Sequence, residues 1–310
     1  VIEEGKMQQL TTATQFYTWN GYRCAYDVPQ EGQGVPLVLI HPIGVGLSRQ
    51  FWHRFNQSWI QSGQSNTIYN PDLLGCGESE MPHIAYHPID WAKQLQYFLQ
   101  TVVKAPAVLV VQGALFPVGV ELVRLQPDLV RGLVLSGPPA WRLVARDTSD
   151  RQHRIAWNLF DSPLGTAFYR YARRSEFLKR FSIRQLFASE DQVDANWLDM
   201  LQEGAKDLNS RHAVFAFLSS FWRQDYSQAV AQIEQPTFVV FGEEASSISR
   251  EGKPESVDQR LEEYLAAFPN AQGIKIPGRN VLPYESTEAF VSAMSAWHKS
   301  EENSPFLRSP

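Results

Sequence analysis

The sequence predicts an α/β architecture: a mostly parallel central sheet, helices on both of its faces, and a helical insertion that interrupts it. Three observations carry this. Short β-branched runs alternate with longer helical patterns in the first half and again in the last quarter of the chain, as happens when each parallel strand returns through a crossover helix. The runs PLVLIH at 36–41 and AVLVVQ at 107–112 are almost continuously apolar, which suits strands buried on both faces. Between 141 and 232 the pattern changes to helix after helix, and segments such as DSPLGTAFYRYARR and SRHAVFAFLSSFW carry apolar residues at helical spacing.

Taken in order, strands are expected at 16–28, 36–41, 66–70, 107–112, 132–136, 237–241 and 272–276. Residues 1–140 then form the first part of a core, 141–232 a helical cap, and 233–299 the rest of the core. A helix is expected to start at Asp161-Ser162, with Pro163 in its first turn. The tail 300–310, SEENSPFLRSP, lacks periodicity and reads as loose. The opening VIEEGK has neither a basic nor an apolar leader region, so no secretory signal is expected, and Met7 reads as the natural start with residues 1–6 added before it.

A chain of 310 residues with 44% hydrophobic residues can bury one large core. Its formal charge of −5 and pI near 5.8 offer no global attraction for nucleic acid. Two cysteines, Cys24 and Cys76, are too few for a disulfide framework, so a reducing, cytoplasmic compartment is expected. The most apolar stretch, 105–123, is broken by Pro106, Gln112, Gly113 and Pro117, so no continuous apolar run approaches the length that spans a bilayer. Charge is nevertheless uneven: 142–184 holds ten basic residues against four acidic. Such a cap could meet an acidic protein, an anionic lipid surface or an anionic ligand, against the plainer reading of a solvated face with intrahelical pairs.

Six segments fall in a telling order: LIHPIGVG at 39–46, NPDLLGCGES at 70–79, VLVVQGALFPVGVEL at 108–122, DLVRGLVLSGPP at 128–139, PTFVVFGEEA at 236–245 and IPGRNVLPYEST at 276–287. Together they resemble the α/β-hydrolase superfamily over nearly the whole chain. The resemblance implies the α/β-hydrolase fold, and a strand, sharp turn and helix at 108–122 that would normally carry a nucleophile at the turn's tip. Here that position falls on Gly113, with Gln112 before it; a shift by one residue places Ala114 there. The position of the acid falls on Ala245 and that of the base on Val281. Pro42 replaces a glycine in the loop whose Ile43 N–H would face an oxyanion. The N-myc-downstream-regulated proteins are a similar case, non-catalytic and with a glycine-type elbow. The chain also resembles proteins of photosynthetic bacteria and plastids, which implies a compartment of that kind.

A triad requires a nucleophile, a base and a group that orients the base. Gly, Val and Ala supply none, so the expectation is a non-catalytic protein that binds an apolar or amphipathic small molecule, or a protein partner, through cap and pocket. His41, Ile43, Gln112, Gly113, Ala114, Trp141, Asn280 and Val281 are the expected pocket residues. The alternative is a hydrolase, lyase or cofactor-free enzyme with relocated groups, for which His41, Glu243, Glu244 or Cys76 would have to converge. No cofactor and no metal are expected. His83 and His87 stand at i,i+4 but Pro82 and Pro88 prevent a continuous helix, while His153, His212 and His298 are joined by no carboxylate or second-histidine pattern. Asp72 reads as a loop-shaping residue, Cys76 as a turn residue, and Gly75 and Gly77 as backbone devices, since no P-loop Lys-Ser/Thr follows.

Overall fold

The computed structural model describes residues 12–301. Expectations that fall on residues 1–11 and 302–310 lie outside the described residues. The strands are β1 (Gln15–Trp19), β2 (Tyr22–Gln30), β3 (Leu37–Ile40), β4 (Ile68–Pro71), β5 (Ala107–Gln112), β6 (Val130–Ser136), β7 (Thr237–Gly242) and β8 (Ala271–Ile276). They form one sheet in the order β1-β2-β4-β3-β5-β6-β7-β8. β2 is antiparallel to both β1 and β4, and every other pairing is parallel.

One expected strand divides in two. The run 16–28 is a hairpin in which Trp19 pairs with Tyr22, and Asn20 and Gly21 turn between them with φ of +48° and +84°. A two-residue turn that matches strand twist needs positive φ twice, and Asn-Gly is the dipeptide that accepts it most readily. Periodicity alone hid this turn, because residues on both sides of it are β-formers.

The helices are α1 (His53–Gln61), α2 (Pro88–Phe98), α3 (Phe116–Leu125), α4 (Asp150–Phe160), α5 (Pro163–Ala172), α6 (Ser175–Phe181), α7 (Ala195–Gly204), α8 (Arg211–Leu218), α9 (Ser227–Val230), α10 (Val257–Ala267), α11 (Leu282–Glu285) and α12 (Thr287–Glu301). Side-chain alternation along the strands sends Val38, Ile40, Leu109, Val111, Leu133, Leu135, Val239 and Phe241 to one face, where α2, α3 and α10 cover them. Leu37, Leu39, Val108, Val110, Val134, Phe238 and Val240 go to the other, beneath α1, α11 and α12. β3 and β5 are buried along their whole length, as their unbroken apolar sequence requires.

α4 to α9 all lie between β6 and β7. Ser162 caps α5 by accepting from the Gly165 N–H, with Pro163 in the first turn. The segment is anchored on both sides of the sheet: Leu143, Val144, Ala213 and Ala216 join one core, and Phe187, Trp197 and Leu201 the other. No helix among the described residues is long and apolar enough to cross a membrane.

Candidate functional site

The C-terminal ends of β5, β6, β7 and β8 bring the candidate residues together. β5 ends at Gln112, and Gly113 follows with φ of +63°, opening a single tight turn before α3. A Cβ at residue 113 would meet nothing within 4 Å, so the tip of the turn faces open space. Gln112 is buried; its Nε2 donates to the Asn280 carbonyl at 2.7 Å, while its Oε1 has no partner. Ser136 pairs with Gln112 across β5 and β6, and its buried Oγ is likewise without a partner. Sequence reasoning passed over Ser136, whose side chain becomes notable only through that register.

Asn280 ties three segments into one corner. Its Nδ2 donates to the carbonyls of Gln185 at 2.7 Å and Ser246 at 2.9 Å, and its backbone N–H donates to Leu186. The loops after β7 and β8 are thereby held to the turn that follows α6. Val281, next in sequence, points into the core beneath α1 and α12, whereas Ala245 packs in the opposite core. Ile43 and Ala114 pack on the Ala245 side, and Trp141 lies half-buried against Phe116 and Tyr264 at ring distances of 6.5 and 5.1 Å.

His41 is fully buried. Its Nδ1 donates to the Pro42 carbonyl at 2.9 Å and its Nε2 accepts from the Leu73 N–H at 3.1 Å, so both ring nitrogens are engaged in the loop. Burial holds this imidazole below its ordinary range. Asp72 accepts from the backbone N–H of Arg49 and Glu78 and pairs with the buried Arg49 guanidinium, which also reaches Asp27 and Glu78. Burial raises the thiols of both cysteines, Cys24 to about 11, the opposite of what an attacking thiolate needs. Glu243 and Glu244 are exposed.

The alpha/beta hydrolase family model matches residues 37–293. The chain belongs to the alpha/beta hydrolase family. Solved structures of similar fold include a serine hydrolase involved in carbazole degradation, 18% identical with TM-score 0.71 over 94% of this chain and 100% of that one. A thermophilic esterase from Thermogutta terrifontis is 18% identical, with TM-score 0.69 over 94% and 98% of the two chains. Cfl2 from Burkholderia cenocepacia is 17% identical, with TM-score 0.73 over 93% and 97%. At these identities the likeness is one of fold. Uncharacterized proteins of Mycobacterium bovis and Mycobacterium tuberculosis are 34% identical over 85 residues, which is 27% of this chain and 23% of theirs.

Two features of this alpha/beta hydrolase family member lie away from the elbow. The first corrects the expectation that nothing joins the cap histidines: His83, Asp161 and His212 meet, with His83 Nε2 2.7 Å from Asp161 Oδ1 and the two imidazoles stacked at 4.2 Å. Their separation in sequence concealed the cluster, which exists only once α4, α8 and the loop before α2 are packed. The second is the surface of α4 to α6. Ile155, Leu159, Leu164, Phe168 and Tyr171 are exposed there among the arginines. Arg142 and Arg146, in the stretch before α4, pair with Glu255 and Glu251, and Lys179 of α6 pairs with Glu190, so these ion pairs run between elements and not within a helix. A groove of about 250 Å³ lies on α6 and the turn beyond it, lined by Glu176, Lys179, Arg180, Ile183 and Arg184.

Proposed function

We propose that the chain is a non-catalytic member of its family that binds an apolar or amphipathic small molecule, or a protein partner, through the elbow floor and the helices above it. In this reading residues 141–232 are a cap, and 1–140 with 233–299 the core. The observation that carries it is Gly113 at the tip of the turn after β5, where a nucleophile would need a side chain and none exists. Ala245 and Val281 offer no proton-transferring atom at the positions the resemblance gives to acid and base.

Binding draws support from the space in front of Gly113 and from the two buried, unpartnered oxygens beside it, Gln112 Oε1 and Ser136 Oγ. Buried polar atoms are normally satisfied, and a ligand hydroxyl or amide reaching past Gly113 would satisfy these. Exposed apolar residues among unpaired arginines on α4 and α5 favour an amphipathic, anionic occupant. Chemistry through relocated groups draws less support: His41 is spent on the backbone, the Cys76 thiol is buried and raised, and Glu243 and Glu244 face solvent.

Purified protein is expected to take no label from a fluorophosphonate and to leave short-chain p-nitrophenyl esters unhydrolysed. Covalent labelling accompanied by turnover would overturn the non-catalytic reading. Mass spectrometry of material released from gently purified protein is expected to detect a bound amphiphile or partner. A protein that carries nothing and binds no fluorescent acyl probe or partner protein would overturn the binding part.

A further inference from the structure

We propose that His83, Asp161 and His212 form a transition-metal site, best suited to Zn²⁺, that fastens the helical segment to the sheet domain. One ligand atom from each residue lies within 4.8 Å of the others. The three come from separate places: His83 from the loop before α2, Asp161 from the C-terminal end of α4, and His212 from the first turn of α8. An ion held by all three would therefore act as a cross-link between parts of the chain that are far apart in sequence, adding to the His83–Asp161 contact already there.

His212 is the second observation that points to a ligand. It is 2% exposed, and neither of its ring nitrogens has a hydrogen-bond partner. An imidazole that gives up hydration at both nitrogens and gains nothing in return is unusual, because buried polar groups are almost always paired. A metal ion would satisfy one of those two nitrogens with a single strong bond. Asp161, a quarter exposed, brings the negative charge, and His83, more than half exposed, leaves the cluster open to ions from solvent.

The donor set selects the ion. Two imidazole nitrogens and one carboxylate oxygen suit Zn²⁺, Co²⁺, Ni²⁺ or Cu²⁺, whereas Mg²⁺ and Ca²⁺ prefer oxygen throughout. Bonds of about 2.0–2.2 Å to a tetrahedral ion set the donor atoms about 3.3–3.6 Å apart. The His83–Asp161 contact at 2.7 Å must therefore loosen, and the three donor atoms, all within 4.8 Å of one another, must settle to that spacing. The imidazoles now lie parallel, 8° apart; to share an ion they must turn until their nitrogens converge, which the exposed His83 is free to do. Three protein donors leave a fourth position for water or an outside ligand. The proposal is independent of the elbow and stands whether or not the chain is catalytic.

The test uses full-length, untagged protein stripped with a chelator and titrated with Zn²⁺ by calorimetry and with Co²⁺ by visible spectroscopy. Expected are one equivalent bound per chain, tetrahedral-type Co²⁺ absorption, and a higher Tm in Zn²⁺. His83→Gln and Asp161→Asn, near-isosteric changes at side chains that are not fully buried, are each expected to weaken binding by more than about tenfold, while His153→Ala leaves it unchanged. Absence of stoichiometric binding overturns the proposal. Binding that His83→Gln and Asp161→Asn leave intact overturns it equally, by marking an adventitious ion.

Discussion

The absence of a Cβ matters at two glycines for opposite reasons. Gly77 has φ of +58°, and a Cβ there would lie 2.1 Å from Asp72 Oδ2, inside the hydrogen-bonded loop that Asp72 organises. Gly77→Ala is expected to destabilise by more than about 2 kcal/mol, through strain and clash together. Gly113 has a similar φ but empty space before it, so Gly113→Ala is expected to cost only the backbone term of about 1–2 kcal/mol. Urea midpoints of the two variants check the contrast, and equal losses would show that the space before Gly113 is filled. Arg49 is the other residue that stability rests on. Its guanidinium is buried between Asp27 and Asp72, so Arg49→Met strands two buried carboxylates and is expected to cost about 3–5 kcal/mol. Asp72 and the glycines could be read from the sequence because a turn is a local object. Arg49 could not, because its carboxylate partners lie on β2 and on the loop after β4, and only the closed sheet brings them to it.

Each element was legible to the degree that its own periodicity decided it. β3 and β5 announce themselves by unbroken apolar runs, and the start of α5 by Ser162 and Pro163. The β1–β2 turn was masked by flanking β-formers, although Asn20-Gly21 was there to mark it. Contacts between elements were the least legible. Asn280 joins the loops after β7 and β8 to residues 185–186, and nothing about a lone asparagine advertises that. Asn280→Ala is expected to cost about 1–3 kcal/mol for the stranded carbonyls and lost bonds, and to speed amide exchange near 185–186 and 246 while leaving β5 protected. Uniformly faster exchange across the sheet would mean that Asn280 supports the whole fold and not this corner.

Across the whole molecule, burial pulls His41, His53 and His153 below their ordinary value of 6.5. Neighbouring charges modify the effect without reversing it: Asp72 and Arg49 at His41, Arg54 and Asp194 at His53, and Asp150, Arg223 and His87 at His153. As pH falls through about 6.5 the unfolded chain takes up these protons before the folded one does, so their contribution is full above that pH and declines below it. Burial raises the carboxyls of Asp27 and Glu285, which act in the opposite sense at lower pH. The urea midpoint is expected to be lower at about pH 5 than at about pH 7.5; a flat profile would show that these rings keep solvent contact. The register of the sheet carries a further consequence, for synthesis. Leu133 on β6 pairs with Thr237 on β7, so at ordinary translation speeds the roughly 100 intervening residues keep β6 without its neighbour for about 5–20 s. During that interval the nascent chain presents an apolar strand edge, the kind of template on which chains join one another. The helices emerging between the two strands are the next part of the chain available to shield that edge, and shortening them would leave it barer at the ribosome even where the finished fold tolerated the loss.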